Sequence, residues 1–492
     1  MNLIYLTLIT PLIGGFTLAW VKSPKLGATL NSAFSLANVL VAAALLLEVS
    51  QQTTAGNPSS NWYVDSLSVY LIGLTVFVGF TTSIFSKPYM LHEAEVRSLT
   101  NSRMRLYHAS FQGFIFTMLL ALSTNNLGIL WVALEGATLA TVLLVSLYRT
   151  QESIEAAWKY FILCGVGIAQ ALFGTVLIYY AAAQVIPNGD STLLWTELST
   201  HAPELNPVIV SIAFVFLIVG YGTKVGLVPL HNWLPDAHSE GPTPMSAVLS
   251  GLLLNVALYA LIRFKMITDS ALQFSHMPHL AGFLMMGFGL LSFSVAALFL
   301  HRQTDIKRLF SYSSIEHMAL MTFGIGLGTP LSVFAALLHM LVHGLTKSAI
   351  FITVGHASQI AGTQRIEKIR GLIQTQPSVG WGLMLGTAAI AGFPPFGIFT
   401  SEFLLLSSTI HTYPWLAIPL LTGLAIAFAG LFRHIQPICF GIAPEGQKPV
   451  PATMWPVYLH LTLVLILGIA LSEQLSMWFD KVTLLITGSH VL

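Results

Sequence analysis

The stretch that decides the fold is Gly220-Tyr-Gly-Thr-Lys224-Val-Gly-Leu-Val-Pro229-Leu-His-Asn-Trp-Leu-Pro-Asp-Ala-His238. It ends an apolar run and places one lysine deep in that run, between glycines and shortly before a proline. A charge at the centre of a bilayer costs roughly 2.5–3.5 kcal/mol, and an interrupted helix leaves backbone groups unpaired. Both are tolerated where protein or water surrounds them, so this stretch predicts a broken transmembrane helix inside a bundle.

The composition of the whole chain agrees with a membrane protein. Of its 492 residues, 55% are apolar and 8% are charged, whereas soluble domains carry about 25% charged residues. Such a chain cannot cover a water-facing surface. The first segment has no basic region before it and no small-residue cleavage site after it, so we interpret it as a retained helix. The net charge of +1 gives no reason to expect nucleic acid as a partner.

Apolar runs long enough to cross a bilayer recur along the chain and predict an all-α polytopic membrane protein with about fourteen transmembrane helices. In chain order, predicted helices 1–14 cover 2–20, 28–48, 65–85, 106–123, 125–147, 155–182, 206–225, 244–266, 277–300, 305–327, 329–358, 379–404, 412–440 and 454–476.

The basic residues test this topology through the positive-inside rule. With both termini outside, fifteen of the 21 Lys and Arg residues, Lys448 among them, fall in inner loops. Arg263, Lys265 and Lys481 fall on the outer side, and the first two are a local exception. The count favours periplasmic termini in a multi-pass protein of the bacterial cell (inner) membrane.

Six ionisable residues remain at membrane depth, where such residues are candidates for function. They are Lys159, Lys224, Lys347, Glu135, Glu316 and Glu402. Glu135 is either a protonated carboxyl or, as we favour, a carboxylate paired with a lysine from another helix. Lys159 lies near the start of predicted helix 6, where an interfacial anchor is the alternative to a functional role.

A second Gly/Pro break, Ala391-Gly-Phe-Pro394-Pro395-Phe-Gly-Ile-Phe-Thr-Ser-Glu402, precedes a buried acid. Two interrupted helices in corresponding places point to an inverted-repeat transporter. The sequence therefore predicts N-terminal helices 1–3 with a loop (1–105), two inverted five-helix repeats (106–266 and 277–440) with broken helices 7 and 12, and a C-terminal helix 14 (441–492).

Predicted helix 11 carries His339, His343 and Lys347 on one face, since they are spaced by four residues. Histidine titrates near neutral pH and suits a proton relay, which His317 on predicted helix 10 can extend. Packed core histidines and a metal pair are the alternatives, although two histidines are too few metal ligands. Two cysteines cannot hold an iron–sulfur cluster, and no phosphate loop or nucleophile motif occurs, so we expect no catalytic residue, metal or cofactor.

Several long motifs resemble the antiporter-like membrane subunits of respiratory complex I and the related Mrp antiporters. They are Lys224 with Pro229-Leu-His-Asn-Trp-Leu-Pro-Asp-Ala-His-Ser-Glu-Gly-Pro-Thr-Pro-Met-Ser-Ala247, then Asp305-Ile-Lys-Arg-Leu-Phe-Ser-Tyr-Ser-Ser-Ile-Glu-His-Met318, then His339-x-x-x-His343. Within that superfamily, residues 131–149 and 156–167 look most like the F subunit of hydrogenase-4 (formate hydrogenlyase-type) complexes. The resemblance covers residues 65–440.

This resemblance implies a proton-translocating subunit, without a catalytic site of its own, in an oxidoreductase complex like hydrogenase-4 or NADH dehydrogenase. The implied proton path consists of Glu135, Lys224, Asn255, His317, His339, His343, Lys347 and Glu402, with Lys159 and Glu316 as further candidates. In it Glu135 pairs with Lys224, and Glu402 ends the path. Asn255 departs from the lysine or histidine of many relatives, and an amide cannot carry a proton charge at neutral pH.

The expected partners are other membrane subunits, the bilayer and a soluble hydrogenase-like redox module. Two other functions remain open. One is a subunit of a multi-subunit sodium/proton antiporter. The other is the proton-conducting membrane subunit of a bicarbonate-uptake complex, whose soluble partner contains zinc.

Overall fold

The computed structural model describes residues 3–187, 189–443 and 451–491, and almost all of its ordered elements are helices. Residues 1–2, 444–450 (with Lys448) and 492, which belong to the predicted terminal segments 1–105 and 441–492, lie outside the described residues. In chain order the helices are α1 (Leu3–Trp20), α2 (Pro24–Gln52), α3 (Ser66–Val96), α4 (Asn101–Ser123), α5 (Leu127–Val145), α6 (Gln151–Ala182), α7 (Trp195–His201), α8 (Pro207–Val225), α9 (Trp233–Glu240), α10 (Thr243–Val248), α11 (Leu254–Leu272), α12 (Leu280–Leu300), α13 (Ile306–Leu327), α14 (Pro330–Ala361), α15 (Leu372–Thr375), α16 (Pro377–Ile390), α17 (Gly397–Thr412), α18 (Ala417–Phe440), α19 (Trp455–Ile469) and α20 (Glu473–Thr487). Two short antiparallel strands, β1 (Ala55–Gly56) and β2 (Tyr63–Val64), join α2 to α3.

A multi-span helical membrane protein is confirmed, but the count of fourteen spans is not. Among the described residues eleven helices are long and apolar enough to cross a bilayer, or twelve if α19 and α20 form one bent span. The prediction missed because α13 carries a charged, polar buried face, and because the break leaves α16 and α17 with 14 and 16 residues. The predicted last helix (454–476) is also wrong, since α19 and α20 meet at 80°.

Both Gly/Pro stretches interrupt their helices as predicted. α8 ends at Gly226, whose φ of +91° is a left-handed cap that glycine adopts without strain. Irregular backbone then leads into the short helix α9. In the second break α16 ends before Gly392, and α17 begins at Gly397. Gly226 and Leu227 in the first break are buried, whereas Phe393, Pro394 and Pro395 in the second break are exposed.

Two segments of the bundle, Thr243–Leu272 and α14, are almost completely surrounded by protein. The apolar window of Thr243–Leu272, which includes α10 and α11, is 100% buried, and that of α14 is 94% buried, whereas the window in α2 is 28% buried. This arrangement follows from bilayer physics, since exposed surface must be apolar and charged side chains need protein around them. A π-helix at Leu249–Leu253 connects α10 to α11, and such segments are frequent at functional sites.

Two basic residues that broke the positive-inside pattern are buried and paired. Arg263 donates to Asp65 at 2.7 Å, and Lys265 lies 2.5 Å from Asp269. Their charges are therefore neutralised locally and do not count as free outer-loop charges. Lys307, which the topology placed in an inner loop, is instead fully buried and donates to the carbonyl oxygen of Gly241 at 2.8 Å.

Candidate functional site

The predicted site residues fall into two buried groups and a polar link between them. The first group, which we term the Glu–Lys pair, is Glu135 on α5 with Lys224 on α8. The second, which we term the histidine cluster, is contributed by α13, α14 and α17. Its members are His317, His339, His343, Lys347, Glu316 and Glu402.

In the Glu–Lys pair, the Nζ atom of Lys224 lies 3.7 Å from Oε2 of Glu135. Lys224 is fully buried and also donates to the hydroxyl of Thr138. That hydroxyl in turn donates to Glu135 Oε2 at 3.3 Å. Thr138 therefore bridges the acid and the base, so a proton or charge on one group is sensed by the other.

Glycines set the position of Lys224. A Cβ atom at Gly220 would lie 2.5 Å from the backbone nitrogen of Ala171 on α6, so only glycine permits this approach. A Cβ atom at Gly167 would likewise meet Thr223 at 2.7 Å. The close contact of α6 and α8 directs the last turn of α8 toward α5. Lys224 then stands one residue from the end of the helix, where the backbone leaves its regular path.

The histidine cluster contains a continuous hydrogen-bond chain. His317 Nδ1 lies 3.0 Å from His339 Nε2, and His339 Nδ1 lies 2.9 Å from the hydroxyl of Ser401. Ser401 donates its proton to the carbonyl oxygen of Ile398, so it accepts from His339. That order assigns the donors, with Nδ1–H of His339 toward Ser401 and Nδ1–H of His317 toward His339. When the shared proton moves from His317 Nδ1 to His339 Nε2, His339 becomes the donor of this bond, which is the geometry of a relay.

His343 lies beside this hydrogen-bond chain, with its ring close to those of His317 and His339. Its ring centre lies 5.7 Å from that of His317 and 6.3 Å from that of His339. Both of its ring nitrogens are buried and have no partner among the described residues. Oε2 of Glu316 and Nε2 of His317 are likewise buried and have no hydrogen-bond partner among the described residues. Buried polar atoms are normally hydrogen-bonded, so this concentration of open donors and acceptors suits a site that exchanges protons.

Lys347 and Glu402 mark the two sides of the cluster. Lys347 donates to the carbonyl oxygen of Phe310 at 3.1 Å and interacts electrostatically with Glu316. Glu402 Oε1 lies 3.9 Å from His317 Nδ1. The carboxylate of Glu402 occupies the space beside Gly392, where an added Cβ atom would lie 2.3 Å from Oε2. The second helix break thus makes room for the terminal acid.

Asn255 connects helices as well as lying in the centre. Its amide nitrogen donates to the carbonyl oxygens of Gly251 at 3.1 Å and Met340 at 3.2 Å, so it joins α11 to α14. Its Oδ1 atom is buried and has no partner in the described part of the chain. An open acceptor at this point can orient a donor such as water, which is the one role that an amide can take in a relay.

Sequence reasoning missed the serines near the midpoint of the bundle. Ser250, in the π-helix, lies 2.7 Å from Ser314 on α13, hydroxyl to hydroxyl. Ser313 on the same helix has a buried hydroxyl without a partner among the described residues. A cluster of serines, Ser311-Tyr-Ser-Ser314 inside a predicted membrane helix, could have indicated these residues. Serine carries no charge, so a search for charged residues in the membrane does not find it.

A buried histidine and a buried lysine were also missed as site residues. His238 on α9 is fully buried, stacks on Phe351 with ring centres 4.8 Å apart, and interacts electrostatically with Lys347 and Lys307. Neither of its ring nitrogens has a partner among the described residues. His238 and Lys307 connect the histidine cluster with the end of the bundle that carries Arg308. Both residues lie in the motifs quoted above, but the predicted topology did not count them among the ionisable residues at membrane depth.

Lys159 stands apart from both groups. About half of its side chain is exposed, and it pairs with Glu155 at 2.6 Å and Asp236 at 3.4 Å. This is the geometry of the interfacial anchor that the sequence left open. Within the described ranges no set of three His, Cys, Asp or Glu side chains could hold a metal ion.

The comparisons with known proteins agree on one family. The sequence model described as "NADH:quinone oxidoreductase/Mrp antiporter, TM" matches residues 124–427. A "Hydrogenase-4 component F homolog" from Methylacidiphilum infernorum (isolate V4) is 46% identical, covering 97% of this chain and 98% of that protein.

Two solved structures share the fold at lower sequence identity. One is a chain of the membrane-bound sulfane sulfur reductase, an archaeal respiratory membrane complex, with a TM-score of 0.88, 24% identity, and coverage of 99% of this chain and 98% of that one. The other is a chain of the Mrp complex from Dietzia sp. DQ12-45-1b, with a TM-score of 0.81, 18% identity, and coverage of 98% and 96%.

Proposed function

We propose, from the premise that this chain belongs to the NADH:quinone oxidoreductase/Mrp antiporter membrane family, that it is a proton-translocating subunit of a hydrogenase-4-like redox complex. The observation that carries the proposal is the Glu–Lys pair, with Glu135 and Lys224 3.7 Å apart inside a bundle of membrane-spanning helices. The component F homolog, with 46% identity over nearly the full length of both chains, favours the hydrogenase-4 branch.

Lys224 is the switch in this proposal. The attraction between two charges grows as they approach in a low-dielectric interior, so a movement that separates Glu135 from Lys224 destabilises the charged lysine. Thr138 contacts both groups and holds Lys224 in place. A small movement of α5 relative to α8 would therefore load or release one proton. The chain supplies no redox chemistry, and the energy comes from electron transfer in a soluble partner.

The path then crosses the centre of the molecule. From Lys224 the proton passes the serine pair of Ser250 and Ser314, with Asn255 orienting water nearby. It enters the histidine cluster at Lys347 and leaves toward Glu402. His238 and Lys307 form a branch toward the basic end of the bundle, because both are buried and interact with each other and with neighbours of the cluster.

Both ends of the path lie next to apolar lateral surface. On α5, Val132 and Leu139 flank Glu135 and are 56% and 53% exposed. On α17, Phe399 and Phe403 flank Glu402 and are 40% and 58% exposed. Such faces fit neighbouring membrane subunits on either side. We therefore propose a multi-subunit membrane assembly that also carries a soluble hydrogenase-like module.

The two helix breaks support the proposed inverted repeats. The break between α8 and α9 follows Lys224, and the break between α16 and α17 precedes Glu402. In the proposed division, residues 106–266 and 277–440 are the repeats, flanked by 1–105 and 441–492. The charge count supports periplasmic termini for the same topology.

The test is proton flux in proteoliposomes that contain the whole complex. We expect Lys224→Ala and Glu402→Gln each to abolish coupled flux while the complex assembles normally. Lys159→Ala, which removes a half-exposed lysine outside both groups, is the matched control and should leave the flux unchanged. Unchanged flux in both site variants would overturn the path. A flux that requires sodium would instead favour an antiporter subunit.

A further inference from the structure

A chain of connected cavities runs along the basic end of the bundle, at the ends of α12 and α18. One cavity, of about 470 Å³, is lined by Gln303, Arg365, Arg370, Arg433 and His434 among others. Gln303 also lines an adjoining cavity of about 550 Å³. The two cavities therefore adjoin at Gln303; we term them together the groove, and neither contains a residue of the proposed proton path.

The charge of this groove is strongly positive. Arg365, Arg370 and Arg433 line the first cavity against a single acid, Glu367. Arg302 lines the second cavity. In the described part of the chain, no carboxylate lies within ion-pair distance of these four arginines, whereas Arg308 nearby is paired with Asp236. Arg365, Arg370 and Arg433 line one cavity, and guanidinium groups without an acid partner are suited to hold a phosphate group there.

The other wall of the groove is apolar and faces outward. Leu298 and Phe299, at the end of α12, line the second cavity and are 60% and 48% exposed. Exposed Leu291 and Phe283 continue the same face of α12 toward the opposite end of the bundle. The spacing of 283, 291 and 298 places them on one helix face. An acyl chain would lie along this face while its headgroup reaches the arginines.

We propose that this groove binds an anionic phospholipid, with its phosphate held by Arg365 and Arg433 and an acyl chain lying against Leu298. Basic pockets between transmembrane helices on the inner side are a known type of site for anionic headgroups. A free phosphate or an acidic peptide would satisfy the arginines but leave the apolar face of α12 without a ligand. The apolar wall therefore favours a lipid.

The experiment measures lipid binding to the full chain purified in detergent, by native mass spectrometry. The probes are phosphatidylglycerol and, as the uncharged comparison, phosphatidylcholine. We expect Arg365→Gln/Arg433→Gln to weaken phosphatidylglycerol binding roughly tenfold or more, since each basic residue near an anionic lipid contributes to binding. Lys22→Gln/Lys25→Gln removes the same charge from the same predicted side, away from the groove, and should leave binding unchanged.

Two further measurements separate the alternatives. Arg365→Lys/Arg433→Lys keeps the charge and should retain most binding, which distinguishes a lost site from misfolding. Inorganic phosphate in excess should not displace phosphatidylglycerol from the wild-type chain. Equal binding in the glutamine and control variants, or displacement by inorganic phosphate, would overturn the proposal. So would equal affinity for the two lipids, because an uncharged headgroup does not need the arginines.

Discussion

At the scale of single residues, the Glu–Lys pair and the histidine cluster differ in how they can carry a proton. Lys224 has an acid within 3.7 Å and a hydroxyl that joins them, so it can be switched by a movement. His317 and His339 are hydrogen-bonded to each other and can pass a proton without moving far. The two groups therefore have separate tests.

For the pair, Glu135→Gln removes the charge but keeps the shape of the side chain. We expect coupled proton flux to fall by about tenfold or more, because the amide leaves the buried Lys224 without its negative partner at 3.7 Å. Flux in proteoliposomes measures this. Glu155→Gln, which changes an exposed acid beside Lys159, is the control and should behave as wild type. A Glu135→Gln protein with full flux would remove Glu135 from the mechanism.

For the cluster, α14 provides a matched pair of buried histidines. His343 touches the rings of His317 and His339, whereas His356 lies beside Phe85 and accepts a hydrogen bond from the backbone of Thr453 at 3.1 Å. We expect His343→Gln to lower flux by about tenfold or more, since an imidazole can both accept and donate a proton and an amide cannot carry one. His356→Gln should have little effect. Equal losses in both variants would indicate a structural role for both.

At the scale of elements, the break between α16 and α17 depends on α19. Gly468 on α19 lies against the irregular backbone, and a Cβ atom there would lie 2.0 Å from the carbonyl oxygen of Pro395. Thr400 donates to the carbonyl oxygen of Gly468 at 3.3 Å. The last helices are therefore a support for the break that positions Glu402, and not merely an anchor.

Gly468→Ala tests this support. We expect the variant to lose roughly 1–3 kcal/mol of stability, because overpacking forces backbone to move. The thermal unfolding temperature in detergent is the measurement. Gly287→Ala is the control, since an added Cβ atom on α12 meets nothing within 4 Å, and alanine favours a helix over glycine by up to about 1 kcal/mol. A Gly468→Ala protein as stable as wild type would show that α19 can shift away from the break without loss of stability.

At the scale of the whole molecule, a buried ion pair links the start of α3 to α11. Asp65, which caps α3, accepts from Arg263 at 2.7 Å, and Arg263 lies over the ring of Trp195 at 4.2 Å. Burial by itself raises the pKa of Asp65, but the Arg263 guanidinium and the hydrogen bonds from Ser68 outweigh it and hold that pKa below 3.8.

This pair predicts how stability depends on pH. A carboxyl whose pKa is lowered by folding stabilises the protein above its unfolded pKa, and the contribution disappears as the pH falls through the folded value. We expect Asp65→Asn to cost about 3–5 kcal/mol at neutral pH, because Arg263 is left buried without its partner. The difference in thermal unfolding temperature from wild type should shrink as the pH falls below about 4. A difference that is constant with pH would contradict an ionised Asp65.

Much of the architecture could be predicted because the bilayer limits what a sequence can do. Low charge and recurring apolar runs require membrane helices, and Gly/Pro at 220–229 and 391–397 require breaks. Each of the predicted spans contains at least one helix in the part of the chain that the structure describes. The predicted number of spans was too high at α13 and at α16 and α17. α13 is too polar to be recognised as a span, because neighbouring helices shield it, and the break leaves α16 and α17 too short.

The sequence by itself identified several of the buried charges, Lys224 and Glu402 among them, since charges in apolar runs cost free energy and are few. It also determined the spacing of His339, His343 and Lys347 on one face, because helical periodicity is local. Only the tertiary structure decided which charges meet. It left Lys159 near the surface, buried Lys307 and His238, and joined Ser250 to Ser314. Contacts between residues far apart in the chain depend on how helices pack, and no local pattern encodes that packing.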